Sequence, residues 1–463
     1  MSNENNPKVK IISEYFIKPK YEVKQSNHPY YLSANDLSQL STPYMHRGLL
    51  YSKPPSLLSI NSLVDNLKES MSIALVDFYP LGGRLSTIKY EDEHASWVYV
   101  DPDIGPGARL IHASVMEENE VTVSDIFTCY ESISRFIWSL FDMGDDPKIV
   151  NHDGHTRPLV SVQVTDLVDG VLIGFTMNHA IGDGTSLWHF INTLSKIFMG
   201  RGDDVEKPIF KTMIADGYGP VLKLPYLDSS EFIHRFEVDP RLRLRVFHFS
   251  ADSIARLKAR ARVNNNNNNS NNNNIISSFQ ALAAFMWISV ARARNLSDES
   301  DIGCWVSSNT RPKHDPPVPS NQFGNFVHLI KVTSKMDELM KNGLCWAAML
   351  LHQGVMGLDE NLIRANLKAR TESPHVAIPM KRNSFGTNPP LVFAGSMRFD
   401  AYGPEFGLGK PVTTRTGCST WMNGKIIIDP GREGGGSVDL QVCLLSETMT
   451  ALEYDDEFVS YIS

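Results

Sequence analysis

The chain contains no Cys-x-x-Cys pair, and its 5 cysteines, Cys129, Cys304, Cys345, Cys418 and Cys443, lie far apart. A zinc ribbon or a disulfide scaffold is therefore not expected, and the thiols read as reduced, mostly buried side chains of a cytoplasmic protein. Like charges are nowhere concentrated: 44 Lys and Arg face 52 Asp and Glu, a formal charge of -8, which argues against a nucleic-acid partner. No stretch reaches the ~20 apolar residues of a membrane span. The longest candidate, residues 275–291, is interrupted by Ser277, Ser278, Gln280 and Ser289 and reads as a buried helix. The polar N-terminus has no apolar core of a signal peptide, so no membrane partner is expected. Repeats of ~20 to 50 residues, the mark of solenoids and propellers, are absent too.

What is present is ordinary globular material in large amount. The chain has 463 residues, 42% hydrophobic, with 22 Phe, 15 Tyr and 7 Trp to fill cores. At ~150 residues per domain this predicts several domains or one two-lobed unit. Helical and strand periods alternate, which predicts an α/β fold. Residues 57–76 carry Leu63, Val64, Leu67, Met71, Ala74 and Leu75 at helical spacing. Val160, Val162 and Val164 alternate before the turn at Val168-Asp169-Gly170, and residues 171–177 follow as a second strand of a hairpin. From Thr185 the period becomes helical again through Leu187, Phe190, Ile191, Leu194 and Phe198. Residues 201–235 lack periodicity and read as a crossover linker between an N-terminal lobe at 1–200 and a C-terminal lobe at 236–463. The tract 264–274, Asn throughout except Ser270, reads as a disordered loop. Residues 425–429 and 437–442, flanking a Gly-rich segment, predict a second hairpin.

Several chemistries fail on the sequence. Gly407-Leu408-Gly409-Lys410 runs into Pro411, which supplies neither the hydroxyl of a P-loop nor a helix start. No Gly-x-Ser-x-Gly elbow occurs. His179 and Asp183 would give a metal two ligands and no third, so no metal is expected. The informative segment is Met177-Asn178-His179-Ala180-Ile181-Gly182-Asp183-Gly184, at the strand-to-helix junction. A histidine leaving a strand among small residues projects its ring into a cleft, and a pKa near ~6.5 suits it to accept a proton from an attacking hydroxyl or amine. Asp183 is placed to cap the helix or to pair with an arginine. On spacing alone, a merely hydrogen-bonded histidine and a merely structural cap remain open.

The order of motifs along the chain resembles the plant acyl-CoA-dependent acyltransferases called BAHD. Their signatures are His-x-x-x-Asp-Gly near the middle and Asp-Phe-Gly-Trp-Gly near the C-terminus; similar here are residues 179–184 and Glu405-Phe406-Gly407-Leu408-Gly409. Residues 31–36, 79–85, 276–282, 311–319 and Phe323-Gly324-Asn325 resemble further blocks of the family in the same order. The resemblance implies two similar-sized chloramphenicol-acetyltransferase-like lobes, with the active-site channel between them. It implies acyl-CoA as co-substrate, a small-molecule acceptor, no permanently bound cofactor and a monomer. In it His179 is the general base of a direct transfer without a covalent acyl-enzyme. Asp183 and Gly184 with Arg311 set the loop. Glu405, Phe406, Gly407 and Gly409 shape the fold and the CoA channel. Ser277, Ser278 and Gln280 resemble a block near the CoA arm. The sequence departs from the pattern at Glu405 and Leu408, and Ser396 stands where many relatives carry an oxyanion-donating tryptophan. These departures keep two alternatives open, a small-molecule binder with little transfer activity and an enzyme that cleaves a conjugate in the same cleft. For the CoA phosphates the basic residues flanking these helices are Lys258, Arg260, Arg262, Arg292 and Arg294.

Overall fold

The two predicted hairpins form, and each lies within a six-stranded sheet. A computed structural model describes residues 8–24, 28–54, 59–116, 120–128, 136–144, 146–210, 221–235, 237–262, 276–377, 388–418 and 421–462. The Asn-rich tract at 264–274 and Cys129 lie outside the described residues. The strands are β1 (Val9–Ile17), β2 (Tyr30–Tyr31), β3 (Met45–Ser52), β4 (Arg84–Tyr90), β5 (Ala95–Asp101), β6 (Ala108–Val115), β7 (Val160–Asp166), β8 (Gly170–Met177), β9 (Leu242–Phe249), β10 (Asp301–Asn309), β11 (Val327–Lys335), β12 (Leu391–Gly395), β13 (Thr413–Arg415), β14 (Lys425–Pro430) and β15 (Val438–Leu445). The longer helices are α1 (Ile60–Asp77), α2 (Gly184–Phe198), α3 (Ala251–Arg260), α4 (Ser278–Ala293), α5 (Met336–Met356) and α6 (Glu360–Glu372).

One six-stranded sheet runs β1-β6-β7-β8-β3-β13, the other β11-β10-β12-β14-β15-β9, and β2-β5-β4 form a small third sheet. In the first, Val160, Val162 and Val164 of β7 and Ile173 and Phe175 of β8 share a core with Leu67 and Met71 of α1 and Phe190 and Leu194 of α2. The opposite face, which the alternation of β7 would leave to water, is also covered. There Leu172 packs with Leu140 and Phe141, and Gln163 Nε2 donates to the Ser139 carbonyl at 2.8 Å. In the second lobe, Leu257 of α3, the apolar length of α4 and Leu344 of α5 pack on Ile426, Ile428, Leu440 and Val442.

The C-terminal half of the sequence lends a segment to the first sheet. Thr413, Thr414 and Arg415 of β13 pair antiparallel with Leu50, Leu49 and Gly48 of β3, on the edge of the first sheet. Ala401, Phe406 and Leu408 lie in the first lobe's core. A three-residue strand has no period to read, and its partner is settled by the open edge it meets. The linker is itself fastened at both ends: Ile209 N–H donates to Asn321 O at 2.9 Å, and Leu224 exchanges two bonds with Ser96 at 2.8 and 3.0 Å.

Candidate active site

A cavity of about 1690 Å³ lies between the two sheets; His46, Arg47, His179 and Asp183 line it from one side, and Trp305, Ser307, Lys425 and Ile427 from the other.

His179 enters this cavity from the turn after β8. Its backbone N–H donates to Asn151 Oδ1 at 2.6 Å, and its carbonyl accepts from Asn325 Nδ2 at 2.8 Å. Asn151 is held in turn by donation to the Gln39 carbonyl at 2.8 Å and Thr42 Oγ1 at 2.9 Å. Asn325 is held by the buried Asp36, which accepts from its N–H at 3.0 Å and its Nδ2 at 2.8 Å. The histidine backbone is therefore pinned from both sides, leaving the ring partly buried at the cavity wall. Burial, the largest influence, pushes the imidazole pKa below its ordinary value; Lys425 adds to this, while Asp183 and Asn325 oppose it. The outcome favours the neutral, proton-accepting form.

Asp183 is the N-cap of α2, accepting from Ser186 N–H at 3.0 Å. It also forms a bidentate pair with Arg311, with Nη1 to Oδ2 at 2.7 Å and Nη2 to Oδ1 at 3.2 Å, and accepts from Phe326 N–H at 3.0 Å. Arg311 donates further to the Gln322 carbonyl at 2.9 Å and the Gly324 carbonyl at 3.0 Å. Both side chains are buried, so their carboxylate and guanidinium groups are matched almost bond for bond. Gly182 permits the tight turn between His179 and Asp183: a Cβ there would lie 2.8 Å from Ser186 Cβ and 3.0 Å from the Phe323 ring.

The other expected residues separate. Ser396 lines the cavity, where its Oγ accepts from Arg398 N–H at 3.1 Å. Ser277, Ser278 and Gln280 do not line it. Ser277 is the N-cap of α4, and Gln280 Oε1 returns to accept from Ser277 N–H at 2.8 Å, a reciprocal cap that consumes both side chains. The second motif is likewise remote from the cavity. Glu405 N–H donates to Ser195 Oγ at 3.0 Å, and Phe406 packs on Phe175 and Phe198 with ring centroids 6.0 and 5.7 Å away. Phe406, Gly407 and Gly409 all have positive φ, the left-handed turn that the glycines make accessible. Leu408 is buried in the first lobe's core, so it does not loosen a channel wall.

The expected phosphate-binding cations are also corrected. Arg260 and Arg292 pair with Glu457, and Arg292 also with Asp455. Arg262 donates to the Ile276 carbonyl and Arg294 to the Pro389 carbonyl; none of these, nor Lys258, lines the cavity, whose cations are Arg47, Arg241, Lys331, Arg370 and Lys425. Sequence reasoning missed Asp36, Asn151 and the cavity cations. Asp36 had a local signal, the Ser33-x-x-Asp36 capping box. Asn151 had none. Among the described residues no group of three His, Cys, Asp or Glu side chains could hold a metal ion, and no helix is long and apolar enough to cross a membrane.

The fold built on these two mixed sheets is shared with solved acyltransferase structures. The chain belongs to the Transferase family, the BAHD acyltransferases, whose description matches residues 7–459. Family members transfer acyl groups from CoA thioesters to small-molecule acceptors. It is 32% identical to an uncharacterized acetyltransferase of Arabidopsis thaliana, over 97% of this chain and 98% of the relative. It is 30% identical to the BAHD acyltransferase DCR of the same plant, over 98% of this chain and 92% of the relative. Among solved structures, F. graminearum TRI101 complexed with coenzyme A and T-2 mycotoxin matches with a TM-score of 0.71 at 16% identity, covering 94% of this chain and 99% of that one.

Proposed function

We propose that this protein transfers an acyl group from an acyl-CoA thioester directly to a hydroxyl or amine of a small plant metabolite, with His179 as general base. The observation that carries this reading is the pinned, proton-accepting His179 at the wall of a cavity shared by both lobes. The imidazole takes the acceptor's proton as its oxygen or nitrogen attacks the thioester carbonyl. Collapse of the tetrahedral intermediate expels the CoA sulfur, and the imidazolium returns the proton to it, leaving the ester or amide and free CoA. Ser396, beside the same cavity, is the candidate to stabilise the oxyanion. Asp183 and Arg311 hold the loop without moving protons. The CoA held by TRI101 supports the same co-substrate here, and the burial of Leu408 away from the cavity favours a working transferase over a binder.

Because one chain supplies both walls of the cavity, we take the active species to be a monomer. Its free thiols Cys304, Cys345 and Cys443 suit the reducing cytoplasm. A panel of acyl-CoA donors against plant metabolite extracts, read as free thiol released, tests the activity. His179→Ala should lower turnover by ~2 to 4 orders of magnitude while melting temperature and CoA affinity hold. Near-normal turnover in that variant would remove His179 as the base.

A further inference from the structure

The row of side chains that the second sheet turns toward the cavity contains a cation that, among the described residues, no acid pairs with. In register across the sheet stand Lys331 of β11, Trp305 of β10, Val392 of β12 and Lys425 of β14. Laterally paired residues share a face, and all four line the cavity. Lys331 lies over the Trp305 ring, 4.6 Å from its centroid, so its charge is met there. Val392 separates Lys425 from that ring, and among the described residues the Lys425 ammonium has neither a hydrogen bond nor an ion pair. The acid further along its own strand, Asp429, is engaged with Arg47 at 3.4 Å and Gln441 Nε2 at 2.9 Å. Asp183 is engaged with Arg311. The charge nearest in effect to Lys425 is another cation, Arg47 from the opposite lobe; together with burial, the larger cause, it pushes the lysine pKa down to about 8.

We propose that Lys425, assisted by Arg47, is a carboxylate-binding subsite of the channel, so that one of the two reactants is a carboxylic acid in addition to being an acyl donor or an acceptor. The inference rests on the transferase reading. Lys425 is half-buried and faces the cavity without a counter-charge, and an uncharged side chain of the same length would line this wall without the cost of partly desolvating a lone cation. A substrate carboxylate supplies what the fold omits, and the planar guanidinium of Arg47 can share it. Lys425 and His179 line the same cavity from opposite lobes, which places the subsite in the space that both reactants would share. The phosphates of CoA, at the far end of the pantetheine arm from its sulfur, are the competing anion that titration with free CoA distinguishes.

Calorimetric titration of the full chain with malonyl-CoA, acetyl-CoA and free CoA, and with meta-hydroxybenzoate and meta-hydroxybenzyl alcohol, reads the subsite. The wild type should bind one carboxylate probe about tenfold tighter than its neutral counterpart, equivalent to ~1.4 kcal/mol. Lys425→Met should abolish that preference, Lys425→Arg should retain most of it, and free CoA should bind all three proteins alike. Preference for malonyl-CoA assigns the carboxylate to the donor; preference for meta-hydroxybenzoate assigns it to the acceptor. Discrimination in neither pair, or discrimination that survives in Lys425→Met and in the alternative variant Lys425→Gln, overturns the subsite. So does an equal loss of free-CoA affinity, which would give Lys425 to the phosphates. Failure of the transferase reading is distinct: the wild type would then not bind free CoA at all.

Discussion

Arg311 clamps Asp183 across 128 residues of sequence, with Nη1 at 2.7 Å from one carboxylate oxygen and Nη2 at 3.2 Å from the other. The pair joins the start of α2, which follows the histidine loop, to the segment between β10 and β11 in the other half of the chain. The geometry of the loop is thus set by contact between lobes.

Replacement of Asp183 by Asn should act through stability. It leaves the buried guanidinium without its counter-charge, a change that typically costs about 3 to 5 kcal/mol. Melting temperature and activity should fall together in thermal scans and turnover assays. A variant as stable as wild type yet inactive would move Asp183 into the chemistry.

The pH dependence of transfer has a definite sign. His179 must be neutral to accept a proton, and burial lowers its pKa from the ordinary value. The acidic limb of kcat/KM should therefore have its midpoint below ~6.5, so that more than half of the maximal rate remains at that pH. A pH–rate profile with its acid limb centred above that value would contradict the environment described for the ring.

Asn325→Ala should separate positioning from binding. It removes the donor to the His179 carbonyl at 2.8 Å and one of the donors to buried Asp36. Leaving such an acceptor unsatisfied costs about 1 to 3 kcal/mol. The loss should be seen in kcat, with the KM for the donor little altered. An unchanged kcat would mean that Asn151 alone suffices to hold the loop.

Ser277→Ala tests the reassignment of the α4 start. Loss of an N-cap costs about 1 kcal/mol, and the melting temperature should drop accordingly. CoA affinity should not change, because Ser277 lies off the cavity. A marked fall in calorimetric CoA affinity at unchanged stability would return this residue to the donor site.

The parts legible in the sequence were those written in local periods. Val160, Val162 and Val164 identified β7, the spacing from Leu187 to Phe198 identified α2, and the small residues after His179 identified the loop between them, because these preferences are satisfied within a few residues of chain. The His-x-x-x-Asp spacing was legible too, and so was the helix cap that Asp183 provides. The basic residues around α3 and α4 were legible only as charges. Which way Arg260 and Arg292 turned was decided by Glu457 and Asp455, which arrive from the C-terminus, and Arg262 and Arg294 turned onto backbone carbonyls.

Sequence alone therefore determined the clearly periodic elements, α1, β7, β8, α2, β14 and β15, and the histidine loop, since each is a property of neighbouring residues. Tertiary structure alone decided the transfer of β13 to the edge of the first sheet, the backbone clamp of Asn151 and Asn325 on His179, and the unmatched position of Lys425 in the cavity wall. The physical reason is the same in each case. A sheet edge, a buried carbonyl and a cavity-facing ammonium depend on partners from distant chain, and only the packed molecule brings those partners within hydrogen-bonding reach or leaves them out.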